Sequence, residues 1–282
     1  MPTLLAIFAH PDDESFGPGG TLARYAAEGA RVHYLCATRG EAGTVDTLHL
    51  NGYRDVGELR TAELMCAAQV LGLADVQFLG FRDSGIRGDA PDCLARTPVE
   101  VVAARIAAHL EHVRPDVVIT HDPFGGYGHP DHIAVHKAVL HAFTQIYGVR
   151  WRPLPGGHVV AQETVSHAPT LFFFVIPKQW MKLGIWLLRL TGQDPRRFGR
   201  NRDIDLVQIA SWEVPVNARV DVRRYLSVKQ RASACHASQL PLGRQSWVSQ
   251  LLFRRGNGAE HFSRAHPAPH PNERLATTLL HA

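Results

Sequence analysis

The chain reads as an α/β protein: a Rossmann-like, mostly parallel sheet with helices on both faces, plus a less regular carboxy-terminal lid or small subdomain. Three observations predict this. Strand-like and helix-like segments alternate through the first half. The strand segments are near-continuous apolar runs, the pattern of strands covered on both faces. Two polar clusters follow strands, one at the end of the first strand and one opening a later helix, at the edge where open α/β sheets bind ligands.

Taken in order, Leu4 to Ala9 is a buried strand, Thr21 to Glu28 a helix and Val32 to Thr38 a second strand, which makes a βαβ opening. A long amphipathic segment from Tyr53 to Leu71, a strand from Val76 to Leu79, a helix from Val99 to Val113 and a strand from Asp116 to Thr120 continue the alternation. Pro130 suits the first position of a helix running to about Phe143. Residues 148 to 169, with Pro153, Pro155, Gly156, Gly157 and Pro169, predict a long excursion before a strand at Leu171 to Ile176. Trp180, Leu183, Leu187 and Leu190 then recur at helical spacing, which predicts a helix from Lys178 to Leu190 packed on the core or serving as a cover over the substrate side. Val214 to Val220 and a helix from Val222 to His236 close the core, and the His- and Pro-rich stretch beyond about 257 is expected to be loose. Residues 1–147 therefore form the catalytic core, and 148–282 complete the same domain.

Length and composition fit that plan. With 282 residues and 45% hydrophobic content, there is enough chain for one large α/β domain with spare length. Lys and Arg number 30 against 26 acids, and the one local basic cluster is Arg196, Arg197, Arg200 and Arg202, so no nucleic-acid partner is expected. The apolar stretch Leu171 to Leu190 is broken by Pro177, Lys178, Gln179, Lys182 and Arg189, which excludes a membrane span there. Cys36, Cys66, Cys93 and Cys235 contain no CxxC pair and are expected to be reduced structural thiols. The amino terminus enters its first strand without a basic leader, which gives a cytoplasmic expectation. A homo-oligomer is compatible with all of this.

The chemistry lies in two clusters. His10-Pro11-Asp12-Asp13-Glu14 places an imidazole and three carboxylates in five residues after the first strand. Such acids repel one another unless a cation or strong donors neutralise them, although acids also favour helix starts for capping reasons alone. The second cluster, His129-Pro130-Asp131-His132, tips the balance, because it too follows a strand and opens a helix. With Pro130 at the first helical position, His129 is the cap and both histidines can face one side. Two histidines and a carboxylate leave a fourth position for water, the pattern of a catalytic zinc, and predict hydrolysis.

These residues resemble the LmbE-like, or PIG-L, family of zinc N-deacetylases. The likeness rests on His10 to Glu14 and on Tyr127-Gly128-His129-Pro130-Asp131-His132, and extends through Thr38 to Gly43, Arg60 to Leu64, Leu79 to Gly85 and Arg114 to Val118. It covers the first 145 residues well, and Lys229 to Gln239 looks like the family's late helix. The resemblance implies His10, Asp13 and His132 as ligands of one zinc ion and Asp12 as the base, a choice between Asp12 and Asp13 that spacing does not make. It implies that His129 and Tyr127 stabilise the oxyanion, and that protonated Asp12 or cationic His129 protonates the departing amine. Asp131 is read either as the partner of a ligand histidine or as a dipole-favoured acid. Arg60 and Asp83 match substrate-contact positions; the plainer alternatives are pairing of Arg60 with Glu58 or Glu63, and an Asp83 that only sets its turn.

The implied reaction is removal of an N-acetyl group from a small amino sugar or its glycoside. An intermediate of a low-molecular-weight thiol such as bacillithiol, or a chitin-derived sugar, fits that class. Thr44 stands where some members acting on thiol cofactors carry an acid, so their substrate does not carry over, and Glu41 either approaches the site or braces its loop. Three other readings compete. A dinucleotide-binding enzyme is suggested by Gly17-Pro18-Gly19-Gly20, but Leu22 occupies the third glycine position of that fingerprint. A metal or sugar-binding module would lack the base, and an amidase on a larger sugar or thiol conjugate would share the constellation and differ in its pocket walls.

Overall fold

The structure is a computed structural model that describes residues 1–176, 178–197, 205–212, 214–240 and 258–280. Arg200 and Arg202, and the side chains of Trp180 and Leu183, lie outside the described residues.

A seven-stranded sheet runs in the order β3-β2-β1-β4-β7-β9-β8. Its strands are β1 (Thr3–Phe8), β2 (Arg31–Thr38), β3 (Asp75–Phe81), β4 (Val117–His121), β7 (Thr170–Val175), β8 (Ala218–Asp221) and β9 (Ala259–His266). The first five of these pair in parallel, whereas β9 runs antiparallel to both β7 and β8. A separate hairpin of β5 (Trp151–Pro153) and β6 (Val159–Ala161) occupies the excursion. Every residue of β1 and β4 is buried, as expected of central parallel strands.

The helices are α1 (Asp13–Phe16), α2 (Gly19–Ala27), α3 (Val56–Leu71), α4 (Val99–Val113), α5 (Gly125–Gly128), α6 (Pro130–Tyr147), α7 (Lys178–Leu190), α8 (Leu206–Ser211) and α9 (Leu226–Cys235). One core joins the sheet to α4 and α6 through Leu5, Ile7, Ile106, Val135 and Phe143. The opposite core joins it to α2 and α3 through Ala6, Phe8, Leu22, Tyr25 and Leu64. A third cluster seats α9 on α3 through Ala67, Leu71 and Ala232. Each such Leu, Ile or Phe contributes about 1.5–3 kcal/mol relative to exposure, so both faces of the sheet are pinned and its carboxyl edge is a firm base for a site.

The strand order reverses between β1 and β4, and that reversal opens the crevice at their carboxyl ends. Both polar clusters follow these two strands. The shared edge predicted from the sequence is therefore the switch point of the sheet.

Three expectations need correction. The stretch beyond 257 is not loose: β9 is an interior strand, with Glu260 bound to Lys229, Gly20 and Thr21 and His266 to Pro169 and Val165. Cys66 and Cys235 are not free thiols but form a disulfide between α3 and α9 across 169 residues, while Cys36 and Cys93 are free and buried. Helix α7 has the predicted bounds, yet Leu187 and Leu190 are exposed and, among its described side chains, Ile185 is the buried apolar one, so the packing of this stripe on the core is not seen at these positions and the cover alternative stays open. No helix among the described residues is long and apolar enough to cross a membrane.

Candidate metal centre and active site

His10 and Asp13 leave the end of β1, and His132 enters from the first turn of α6. His10 Nδ1 lies 3.2 Å from His132 Nε2 and 3.8 Å from Asp13 Oδ2, and His132 Nε2 lies 3.5 Å from Asp13 Oδ1. Two donors about 2.0–2.2 Å from one tetrahedral ion are about 3.3–3.6 Å apart. The His10–His132 and His132–Asp13 separations lie close to that range and the His10–Asp13 one is somewhat longer, with a different Asp13 oxygen nearest each ring, and the nitrogens that face one another are identified by what their opposite nitrogens do. His10 Nε2 is 3.1 Å from Asp131 Oδ2, and His132 Nδ1 is 3.2 Å from the Gly125 carbonyl. An acceptor on the far nitrogen fixes the proton there and leaves the near nitrogen's lone pair facing the site.

The local chain is shaped for this. Gly125 has φ +63°, and a Cβ there would press on His132 Cβ and Ile133. His129 caps α6, its Nδ1 accepting from the Asp131 N–H at 3.2 Å, with Pro130 in the first turn. Asp131 is fully buried and also accepts from the Ser84 backbone N–H and hydroxyl.

The electrostatics favour a cation. Burial alone would lower the pKa of His10, but Asp131, Asp83 and Asp13 raise it to about 10. Asp13 would be raised by burial, yet His132, His121 and His10 hold it well below the usual carboxylate range. Burial and the neighbouring Asp13 lift Asp12 to about 6, against the pull of Arg60. Burial and the charge on His10 push His129 down to about 4.

Asp12 sits beside the donors, partly exposed, on a backbone with φ 117°. Arg60 reaches it from α3 and is only 4% exposed. One Nη donates to Asp12 Oδ2 at 2.9 Å and to the Pro11 carbonyl at 2.5 Å, while the other donates to the Gly40 carbonyl at 3.0 Å. Neither plainer pairing of Arg60 is found: Glu58 binds Arg54 and Glu63 binds Ser238. Asp83 does set its turn, accepting from the Gly85 N–H at 2.9 Å, and it also faces His10 Nε2 at 3.5 Å. Glu41 braces its own loop through the Arg39 N–H. The Tyr127 ring stands edge-on to His129 and His132, at 5.8 and 5.2 Å. The structure thus brings together every residue singled out from the sequence.

It also adds some. His121, the last residue of β4, stacks on His132 at 3.8 Å, lies 3.5 Å from Asp13 and accepts from the Ala9 N–H. Its place at the carboxyl end of a central strand was the available signal. Glu14 and His236 form a buried pair below Asp12, and Ser84 holds Asp131. A cavity of about 340 Å³ opens beside Asp13, His132 and Tyr127, walled by Phe16, Phe174 and Ile176.

A doubly covered α/β sheet with histidines and aspartates gathered at its switch point, close enough together to hold a metal ion, is the setting of a hydrolase of the metal-dependent class. Comparison with known proteins makes this specific: the family described as PIG-L, GlcNAc-PI de-N-acetylase, matches residues 5–143. A 1D-myo-inositol 2-acetamido-2-deoxy-alpha-D-glucopyranoside deacetylase from Thermobifida fusca is 33% identical over 282 residues, covering 95% of this chain and 94% of that protein. Its counterpart from Geodermatophilus obscurus is 36% identical over 250 residues, covering 84% of this chain and 82% of its own. N,N'-diacetylchitobiose deacetylase from Pyrococcus horikoshii shares the fold, with a TM-score of 0.59 at 21% identity over 96% of this chain and 88% of that one. The chain belongs to the PIG-L, LmbE-like family and is an N-deacetylase, a hydrolase of the carbon–nitrogen bond.

Proposed function

We propose that this deacetylase removes the acetyl group from a small 2-acetamido-2-deoxyglucopyranoside, with one zinc ion held by His10, Asp13 and His132. The gathering of these three side chains beside Asp12, the two ring nitrogens 3.2 Å apart and each within 3.8 Å of one of the Asp13 oxygens, carries the reading. Relatives that name such a glycoside as their substrate supply its chemical class.

A divalent ion bound there would polarise the amide carbonyl and lower the pKa of a coordinated water. Asp12 accepts the proton of the attacking water, and its elevated pKa, about 6, suits a group that must both take and return a proton near neutrality. The same carboxyl then protonates the departing amine. His129 does not serve as a cationic acid in this scheme, because it is held neutral. Its Nδ1 is engaged by the Asp131 N–H, so Nε2–H donates to the oxygen that gains negative charge, and the Tyr127 hydroxyl is the second donor. Asp131 and Ser84 orient His10. Arg60 and Asp83 wall the sugar side, where the first task of Arg60 is to hold Asp12 in place.

A second reading, an amidase acting on a larger conjugate, is favoured by one observation: beside Asp13 and His132 the cavity has apolar walls at Phe16, Phe174 and Ile176, which suit an apolar group longer than acetyl. Both readings are tested by incubating metal-replete protein with the inositol glycoside, N-acetylglucosamine, its malate glycoside, diacetylchitobiose and N-hexanoylglucosamine, measuring free amine. Release from one of the acetylated sugars supports the proposal. Release from the hexanoyl amide alone selects the larger acyl group, and release from none overturns the sugar class.

A further inference from the structure

We propose that His236, acting through Glu14, is the positioning residue of the Asp12 base. This inference rests on Asp12 serving as that base. Asp12 is not glycine, yet its φ is 117° and ψ −26°, a conformation that persists only where the surroundings over-determine it. Glu14 is one of those surroundings: its Oε2 accepts from the Asp12 N–H at 2.9 Å. The remaining hold comes from Arg60 on the Asp12 side chain and from Ser15 and Phe16 N–H groups on the Asp12 carbonyl.

Glu14 is itself 0% exposed, and a buried carboxylate keeps its place only when paired. The Ser15 hydroxyl donates to Oε1 at 2.5 Å, and His236 Nε2 lies 2.6 Å from the same oxygen, its ring also 0% exposed. His236 does not belong to the amino-terminal motifs. It ends α9 and is fixed on both sides: Cys235 is bonded to Cys66 of α3, and Ser238 donates through N–H and hydroxyl to Glu63 of the same helix, at 2.8 and 2.7 Å. A late segment of the chain is thus locked to the helix that carries Arg60, and its one imidazole is aimed at the carboxylate behind the base.

The proposal is separable from a merely structural role of α9. His236→Gln retains an N–H donor near the position of Nε2, whereas the equally polar His236→Asn is too short to reach Glu14. Ser238→Ala removes the hydroxyl bond to Glu63 but keeps the backbone one and the Cys235 bond, so it disturbs the same helix end while His236 stays against Glu14. We expect His236→Asn to lower kcat by about ten- to hundredfold with KM within about twofold, while His236→Gln and Ser238→Ala keep most of kcat and all three bind zinc as the unaltered protein does.

Hydrogen exchange reports on positioning independently of activity. The peptide covering residues 9–17 should exchange about tenfold faster in His236→Asn and Glu14→Ala than in His236→Gln. Equal kcat and equal exchange in the Asn and Gln variants would overturn the inference. Should the unaltered protein release no acetate from any substrate, the reading of Asp12 fails, and the exchange comparison still decides whether His236 holds the Asp12 loop.

Discussion

The two parts of the chain reach the same crevice by different means. Residues 1–147 bring their chemistry in short polar clusters, one directly after β1 and one at the start of α6 beyond β4 and α5, so that one backbone turn sets several polar groups at once. Residues 148–282 bring single residues from separated elements: Lys229 and His236 from α9, Glu260 from β9, Phe174 and Ile176 from the end of β7 and just beyond. In the proposed function the first part would hold the ion and the base, while the second would support the base and share the walls of the cavity with the first. A motif therefore marks where bonds change, while the groups that fix its geometry can come from anywhere in the chain.

The contrast predicts graded effects. His132→Ala, which removes a donor from the first part, should abolish stoichiometric zinc binding by dialysis and metal analysis and take activity to background; retention of one tightly bound zinc would break the assignment. Asp131→Asn leaves the ligands in place but weakens the hold on His10, and should cost about 10–100-fold in zinc affinity or kcat, read by competition with a chelator. An unchanged affinity and rate would leave Asp131 as a helix-start acid only.

Changes in the second part should act on stability first. Replacing Cys66 and Cys235 together by serine frees a loop of 169 residues and should lower unfolding free energy by about 2–5 kcal/mol in denaturant titrations. Deacetylase activity at 25 °C should largely survive, since Glu63–Ser238 still ties α3 to α9. Loss of activity equal to that of His132→Ala would erase the distinction between the two parts.

The smallest expected effect is on acid stability. Burial lowers His136 and His158 from 6.5 to about 4. Groups whose folded pKa is depressed take up protons more readily when unfolded, so this contribution is full above pH 6.5 and is lost as pH falls toward 4. Replacing His158 by leucine should flatten the fall in melting temperature across that window; an unchanged slope would contradict its buried neutral state.

The amino-terminal half was legible because its signals are local. Apolar runs mark β1 and β2, helix α4 spans Val99–Val113 as its periodicity predicts, and Pro130 places the start of α6. The rest depends on pairings that sequence distance hides. Strand β9 reads as a polar tail because Glu260, Ser263, Arg264 and His266 are polar, and their burial is intelligible only once Lys229, Asn217, Glu273 and Pro169 are beside them. The Cys66–Cys235 bond and the His236–Glu14 pair likewise join positions that no spacing rule connects. His121 was hidden for a different reason, since it is a single residue just past the strand expected to end at Thr120, and β4 runs one residue further to include it. Arg60 was found but only partly understood, because its contact with Asp12 arises where α3 passes behind the β1 turn.

The central claim is that one ion is held by His10, Asp13 and His132, and the geometry offers rivals, since His10, His129 and His132, or Asp13, His121 and His132, or His10, Asp83 and Asp131, come close enough to share an ion. Anomalous diffraction at the zinc edge from zinc-loaded crystals separates them. The account predicts one peak about 2.0–2.2 Å from His10 Nδ1, an Asp13 oxygen and His132 Nε2, with Asp12 outside the coordination shell. A peak on His129 or His121 in place of His10 or Asp13 would contradict it.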